Sequence, residues 1–374
     1  MKKILIILIL ILTTGCSYKE LNDLAIVSGI GIDYKDNNYY LTAQIMDLEK
    51  GKNDETSKQA ILYKGKGITI SEALRNMIKT YQKTLYLGHL ELLVIGKETA
   101  LQKTNDIFDY FISSPESPND FLVLVNDKGN AEDIINPKTS YNEKEQNPIK
   151  DIISTITNIE ERKGTTYKLN FEELLSIYLE KGIDPVIPII NYTNGNEYSN
   201  IVINNLIPFK NNMLNTPLSE KQTIIYNTLK NHYTDIPYTI NYKNKPLSLL
   251  LINPHSKYNL HIKNNKIYVN INIFLEGHAT EVNTKITLSD KNTANQIEKQ
   301  FENEIKKDVN NLLNFCKINN VDILGLKNMI YKYHHKKYNK YKDINIYEIA
   351  NFNINVNINM YRYGNAYVGV SKEN

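Results

Sequence analysis

Two stretches of the chain alternate apolar and polar residues with a period of two. In the first, Ile267, Val269, Ile271, Ile273 and Leu275 are separated by Tyr268, Asn270, Asn272 and Phe274; in the second, Phe352, Ile354, Val356, Ile358 and Met360 are separated by asparagines. Successive side chains of an extended chain point to opposite faces, so each stretch predicts a long strand with one face on a core. Between them, Ile297, Phe301, Ile305, Val309, Leu312, Leu313 and Cys316 recur at helical spacing, which predicts an amphipathic helix over about 293–317. Long antiparallel strands packed under a long helix follow from this pattern, an α+β unit.

The earlier half alternates shorter strands and helices. Leu24–Val27 opens an extended segment interrupted by Gly29 and Gly31, Asp33–Asn38 reads as a hairpin turn, and Tyr39–Met46 is β-rich. The turn lacks the glycine and distal glutamate of a calcium loop, so it is read as a turn and not as a metal site. Thr69-Ile70-Ser71-Glu72 predicts a capping box, opening a helix with Leu74, Met77, Ile78 and Tyr81 on one stripe. Gly88–Gly96 predicts a buried strand, 107–112 a helix stopped at Ser113-Ser114-Pro115, and Phe121–Val125 another strand. Asn170 opens a helix burying Leu174, Leu175, Tyr178 and Leu179, with Gly182 as its stop. A Pro- and Asn-rich stretch, Pro185–Asn200, marks a change of unit.

The expected organisation is a removable leader over 1–15, an N-terminal region over 16–198 that is one domain or two, and a C-terminal α+β domain over 199–374. The fold class is multi-domain α+β, with mixed and antiparallel sheets packed against helices.

The first sixteen residues change this picture most. Met1-Lys2-Lys3, the apolar run Ile4–Leu12, the small residues Thr13-Thr14-Gly15 and then Cys16 describe a secretory leader ending in a lipobox. The apolar run is about nine residues, far short of the ~20 that span a bilayer as a helix. The Cys16 thiol is therefore expected to receive a diacylglyceryl group and become the new N-terminus. One acyl chain holds a protein only marginally and two hold it stably. The mature chain is thus expected on the extracytoplasmic face of a membrane, tethered at Cys16.

Loss of Lys2 and Lys3 lowers the formal charge of +3 to about +1, which carries no global signal for nucleic acid. The chain is 41% hydrophobic, enough for real cores. With Cys16 acylated, Cys316 has no disulfide partner; its place on the helical stripe predicts a buried structural thiol.

The chain has no Gly-rich phosphate loop, no His-Glu-x-x-His and no Gly-x-Ser-x-Gly elbow. No catalytic set, cofactor or metal is expected. His89 and Glu91 lie two apart on one predicted strand, which brings an imidazole and a carboxylate to one face. Two ligands do not make a metal site, so the pair is a candidate structural or partner contact. His334-His335-Lys336-Lys337, with Lys340 and Lys342, forms a basic, Tyr-interleaved segment. It reads as a solvated helix face with tyrosines packing inward, or as a surface for anionic headgroups; the exported address argues against nucleic acid.

Three blocks carry a family resemblance: Glu20-Leu21-Asn22-Asp23-Leu24-Ala25-Ile26-Val27-Ser28-Gly29-Ile30-Gly31-Ile32-Asp33 after the lipobox, His89-Leu90-Glu91-Leu92-Leu93-Val94-Ile95-Gly96-Lys97-Glu98-Thr99-Ala100, and Glu302-Asn303-Glu304-Ile305 through Asp322-Ile323-Leu324-Gly325. In order and spacing the chain resembles the Ger(x)C family, the lipoprotein C subunits of nutrient germinant receptors in endospore-forming bacteria. It departs from the family where Ser17-Tyr18 replace Trp-Asp, His335 a proline and Tyr338 a tryptophan; Tyr fills similar apolar space, which makes Tyr338 a candidate contact residue. The resemblance implies a non-enzymatic subunit of an inner spore membrane complex, partnered by a polytopic A subunit and a transporter-like B subunit. It leaves open whether this subunit meets the small-molecule germinant. The competing reading is a lipid-anchored solute-binding protein that closes two halves around a nutrient.

Overall fold

The computed structural model describes residues 24–46, 60–80, 83–136, 148–194, 199–211, 213–282 and 290–361. Cys16 and Tyr81 lie outside these residues. The first sheet contains β1 (Leu24–Lys35), β2 (Asn38–Met46), β3 (Ala60–Gly67), β4 (Thr84–Tyr86), β5 (Leu92–Gly96), β6 (Leu122–Asn126), β7 (Val186–Asn194), β8 (Ser199–Lys210) and β9 (Met213–Leu214). Its order is β3-β2-β1-β5-β6-β7-β8-β9, with β4 also paired to β1. The second sheet has the order β10 (Asp235–Tyr242), β11 (Lys245–Lys263), β12 (Lys266–Val282) and β13 (Ala350–Tyr361). The helices are α1 (Ile70–Met77), α2 (Lys97–Gln102), α3 (Thr104–Ser113), α4 (Glu132–Ile135), α5 (Pro148–Lys163), α6 (Phe171–Leu179), α7 (Glu220–Lys230), α8 (Lys291–Asn319), α9 (Leu326–Tyr333), α10 (His335–Tyr341) and α11 (Ile346–Ile349).

The hairpins turn on asparagine. Asp36-Asn37, Lys243-Asn244 and Asn264-Asn265 all have positive φ at both positions. Such two-residue turns match the right-handed twist of the strands they join, and Asn and Asp tolerate that region better than other non-glycine residues. Asn231 and Asn320 take the same left-handed conformation as the C-caps of α7 and α8.

Strands β5 and β6 are parallel to each other and to β1, and are covered on both faces. Leu93 and Ile95 join the main core while Leu92 and Val94 join a second cluster with Ile134, Ile135, Ile149, Ile152 and Ile156. A strand buried on both sides reads as an unbroken apolar run, as here. The main core is continuous across both sheets: Ile187, Leu206 and Phe209 of the first share it with Ile271, Leu313 and Ile330 of the second half.

The long helix and both alternating strands form as their patterns predict. α8 buries Ile297, Phe301, Ile305, Val309, Leu312, Leu313 and Cys316, and β12 buries Ile267, Val269, Ile271, Ile273 and Leu275. Burial pushes the Cys316 thiol well above its ordinary pKa. One relation differs from expectation: β13 pairs with β12 in parallel, not antiparallel. The chain between them passes through four helices, and such a crossover returns the strand in its original direction. β13 is the edge strand of its sheet. Its backbone N–H groups at Ile358 and Met360 donate to Glu302 (3.1 Å) and Glu298 (2.9 Å) of α8, so carboxylates one helical turn apart occupy part of the edge.

Other differences are local. β1 runs through Gly29 and Gly31 with a register shift between Val27 and Gly29, a bulge and not a break. Thr69 caps α1 through the Glu72 N–H (3.1 Å), but Glu72 accepts from Ile68 N–H (2.8 Å) instead of closing the box on Thr69. Ile78 is exposed because α1 tightens into a 3₁₀ turn there. The buried strand starts at Leu92, since residues 87–90 form a turn closed by Leu90 N–H to Leu87 O (2.9 Å). Pro185–Asn200 supplies β7 and the start of β8, with Pro188 tolerated at a register shift.

Candidate functional site

The first two family-like blocks meet inside the sheet. β1 and β5 pair in parallel, with Gly29, Ile30, Gly31 and Ile32 opposite Leu92, Leu93, Val94 and Ile95. At the end of this seam the Asp33 carboxylate accepts the N–H of Ala131 (2.8 Å) and Glu132 (3.1 Å), tying β1 to the start of α4. Thr99 adds a second tie, donating to Ile32 O (3.0 Å). Burial outweighs those two donors, with help from the nearby charges of Asp133 and Glu132, and pushes Asp33 up to about 6.

A carboxylate whose pKa is raised on folding binds its proton more tightly in the folded state. Its stabilising share is complete below the unfolded value of 3.8 and is lost as pH rises through about 6. Asp33→Asn should therefore make stability less dependent on pH across this window, by on the order of 1–3 kcal/mol. Urea midpoints of wild type and variant at both ends of the window measure it; parallel curves would refute the assignment.

The third block ends at the joint between the two halves. Asp322 is 2% exposed. Its carboxylate accepts three hydrogen bonds, from Leu326 N–H (2.9 Å), Lys327 N–H (2.8 Å) and the Tyr347 hydroxyl (2.9 Å). Burial pushes its pKa up against the pull of those donors. Its backbone meets the first half: Asp322 N–H donates to the Asp184 carboxylate (2.6 Å), and Asp184 N–H donates to Asp322 O (3.0 Å).

The rest of the segment between α6 and β7 extends this contact. Asn328 N–H donates to Gly182 O (2.8 Å), the Asn328 side chain to Lys181 O (2.9 Å), and Lys332 pairs with Glu180 at 3.0 Å. Lys210 donates to Asn320 O. Gly182, expected as a helix stop, belongs to this joint. Its φ is +79° and a Cβ there would lie 2.8 Å from Asn328 N, so glycine is required by both conformation and space. α6 ends earlier, at Leu179, which is 68% exposed.

His89 and Glu91 are brought together, at 3.3 Å from Nε2 to Oε1, with side chains 55% and 35% exposed. Turn geometry does this, not shared strand register. The Glu91 backbone ties the neighbouring strands, accepting from Leu122 N–H and donating to Ser28 O (2.9 Å each). An exposed pair of this kind contributes little to stability. Tyr338 is half-buried, edge-on to Tyr331 at 5.0 Å, and Tyr331 is likewise edge-on to His335 at 5.0 Å. These rings hold α10 against α9. Among the described residues no cluster of three or more His, Cys, Asp or Glu side chains is arranged to hold a metal ion.

Both halves match known families. Residues 17–192 match the spore germination protein N-terminal domain, and residues 205–364 match the spore germination B3/GerAC-like C-terminal domain. The chain therefore belongs to the Ger(x)C family of spore germination proteins. It is similar to spore germination protein KC of Bacillus subtilis (strain 168), with 26% identity over 368 residues covering 91% of this chain and 89% of that protein. Its fold resembles the crystal structure of the GerBC protein, with a TM-score of 0.58 and 18% identity, covering 89% of this chain and 97% of that one. The α+β class expected from the pattern is the class observed.

Proposed function

We propose that this chain is the lipid-anchored C subunit of a nutrient germinant receptor, a non-catalytic body that assembles with polytopic A and transporter-like B subunits on the extracytoplasmic face of the inner spore membrane. The observation that carries the reading is one of order: the two family domains run in succession from residue 17, directly after a leader-like apolar run and Cys16. The carboxylates with displaced pKa values at the seam and the joint, Asp33, Asp184 and Asp322, are engaged by backbone donors. That arrangement supports a structural body, because a general acid or base needs a free edge toward its substrate. Acylation at Cys16 confines the body to a thin layer at the membrane, raising its effective concentration near partners there.

Cys16→Ala should move the protein from a salt-washed membrane fraction to the soluble fraction of spores and slow nutrient germination. The wash matters because it removes electrostatic attachment while leaving acyl anchoring in place. A variant that stays in the salt-washed membrane and germinates normally would rule the reading out.

A further inference from the structure

We propose that α9 and α10 form a second, electrostatic membrane contact that lays this end of the protein against anionic phospholipid. Residues 326–342 hold six lysines, two histidines and no Asp or Glu. Outside this stretch the chain has 41 acidic residues against 38 basic ones, 44 less these six, so the positive excess is concentrated here. Lys336, Lys337, Lys340 and Lys342 are all exposed. Of the neighbouring carboxylates, Glu180 is paired with Lys332, Asp184 and Asp322 are engaged at the joint, and Asp343 flanks the stretch.

The patch has a defined shape. Tyr331, Tyr338 and His335 lock α10 onto α9 by edge-on contacts, and Tyr341 is buried beneath Lys340. Tyr333 alone stands out, 76% exposed. The Glu180–Lys332 pair holds the residue after Leu179, itself 68% exposed, against the residue before Tyr333. An amphipathic ring and an aliphatic side chain amid lysines suit the headgroup layer, where Tyr settles and lysine stems reach outward.

The chemistry favours lipid over other polyanions. The stretch has no arginine, the residue that forks onto individual phosphates and base edges. Strand-binding proteins present several free rings for stacking, whereas here the remaining tyrosines are held by one another or buried. Lysine point charges suit the diffuse field of an anionic leaflet, at about fivefold in partitioning per residue near the surface.

The test uses the mature chain from Ser17, without the leader and without Cys16, so that neither acylation nor the leader's apolar run contributes and the anchor reading stands or falls separately. Co-sedimentation with vesicles of phosphatidylcholine containing about a third phosphatidylglycerol should exceed that with phosphatidylcholine alone, and should weaken as salt is raised. In the same background, K336Q/K337Q/K340Q/K342Q should lower partitioning at least tenfold with unfolding midpoint unchanged. Tyr333→Ser should lower it severalfold and leave the salt dependence intact. Equal binding to both vesicle types, or full retention by the lysine variant, overturns the proposal. So does binding to an acidic polypeptide or nucleic acid under conditions where the vesicles are not bound.

Discussion

Asp322→Ala is expected to destabilise the protein by about 3–5 kcal/mol, seen as a large fall in urea midpoint. The carboxylate accepts from the amides of Leu326 and Lys327 and from the Tyr347 hydroxyl. Alanine leaves these donors without their partner in a buried setting. Each such loss costs roughly 1–3 kcal/mol, less what entering water recovers. The damage reaches the first half, because Asp322 N–H and O both bond Asp184 across the joint. Asp322→Asn keeps the shape and one acceptor oxygen, and should cost less than alanine. A midpoint for Asp322→Ala within about 1 kcal/mol of wild type would show that the joint does not depend on this carboxylate.

Gly65→Val should cost about 3 kcal/mol, for a steric reason. α1 lies so close over β3 that a Cβ on Gly65 would overlap the carbonyl oxygen of Ala73 and press on Met77 Cγ at 2.7 Å. Ala73 is fully buried, and its oxygen belongs to helix backbone, which cannot rotate aside as a side-chain tip would. The helix must lift from the sheet, loosening Leu74 and Met77 from the core. Gly65→Ala should show a smaller fall in the same direction. If thermal unfolding of the valine variant matches wild type, the close approach is not a real constraint.

The elements legible in advance were those whose burial repeats with a local period. β12 and α8 each bury one regular face, so their apolar positions carry the signal by themselves. β3 was missed: in Lys64-Gly65-Lys66-Gly67 two glycines stand where the core-facing side chains would be, and what fills the space is the α1 backbone. The long helix α5 was missed too, although Ile149, Ile152 and Ile156 pack into the second cluster.

The candidate residues divide in the same way. His89 and Glu91 are neighbours in sequence, and the structure brings them together by a turn. Asp184 and Asp322 stand far apart in the chain, and nothing local in either segment marks the other as its partner. Gly182 looked like an ordinary helix stop because its need for a positive φ is local, while the Asn328 backbone against it is not.

By itself the amino-acid order determined the leader and its cysteine as an expectation, the α+β class, the long helix with its apolar stripe, and the faces that β12 and β13 bury. All of these depend on residues within a few positions of one another. Only the tertiary structure decided the parallel return of β13, the carboxylate-covered edge, and the Asp184–Asp322 joint. Strand direction, edge position and buried hydrogen bonds depend on which distant segments meet, and hydrophobic periodicity records that a face is buried without recording against what.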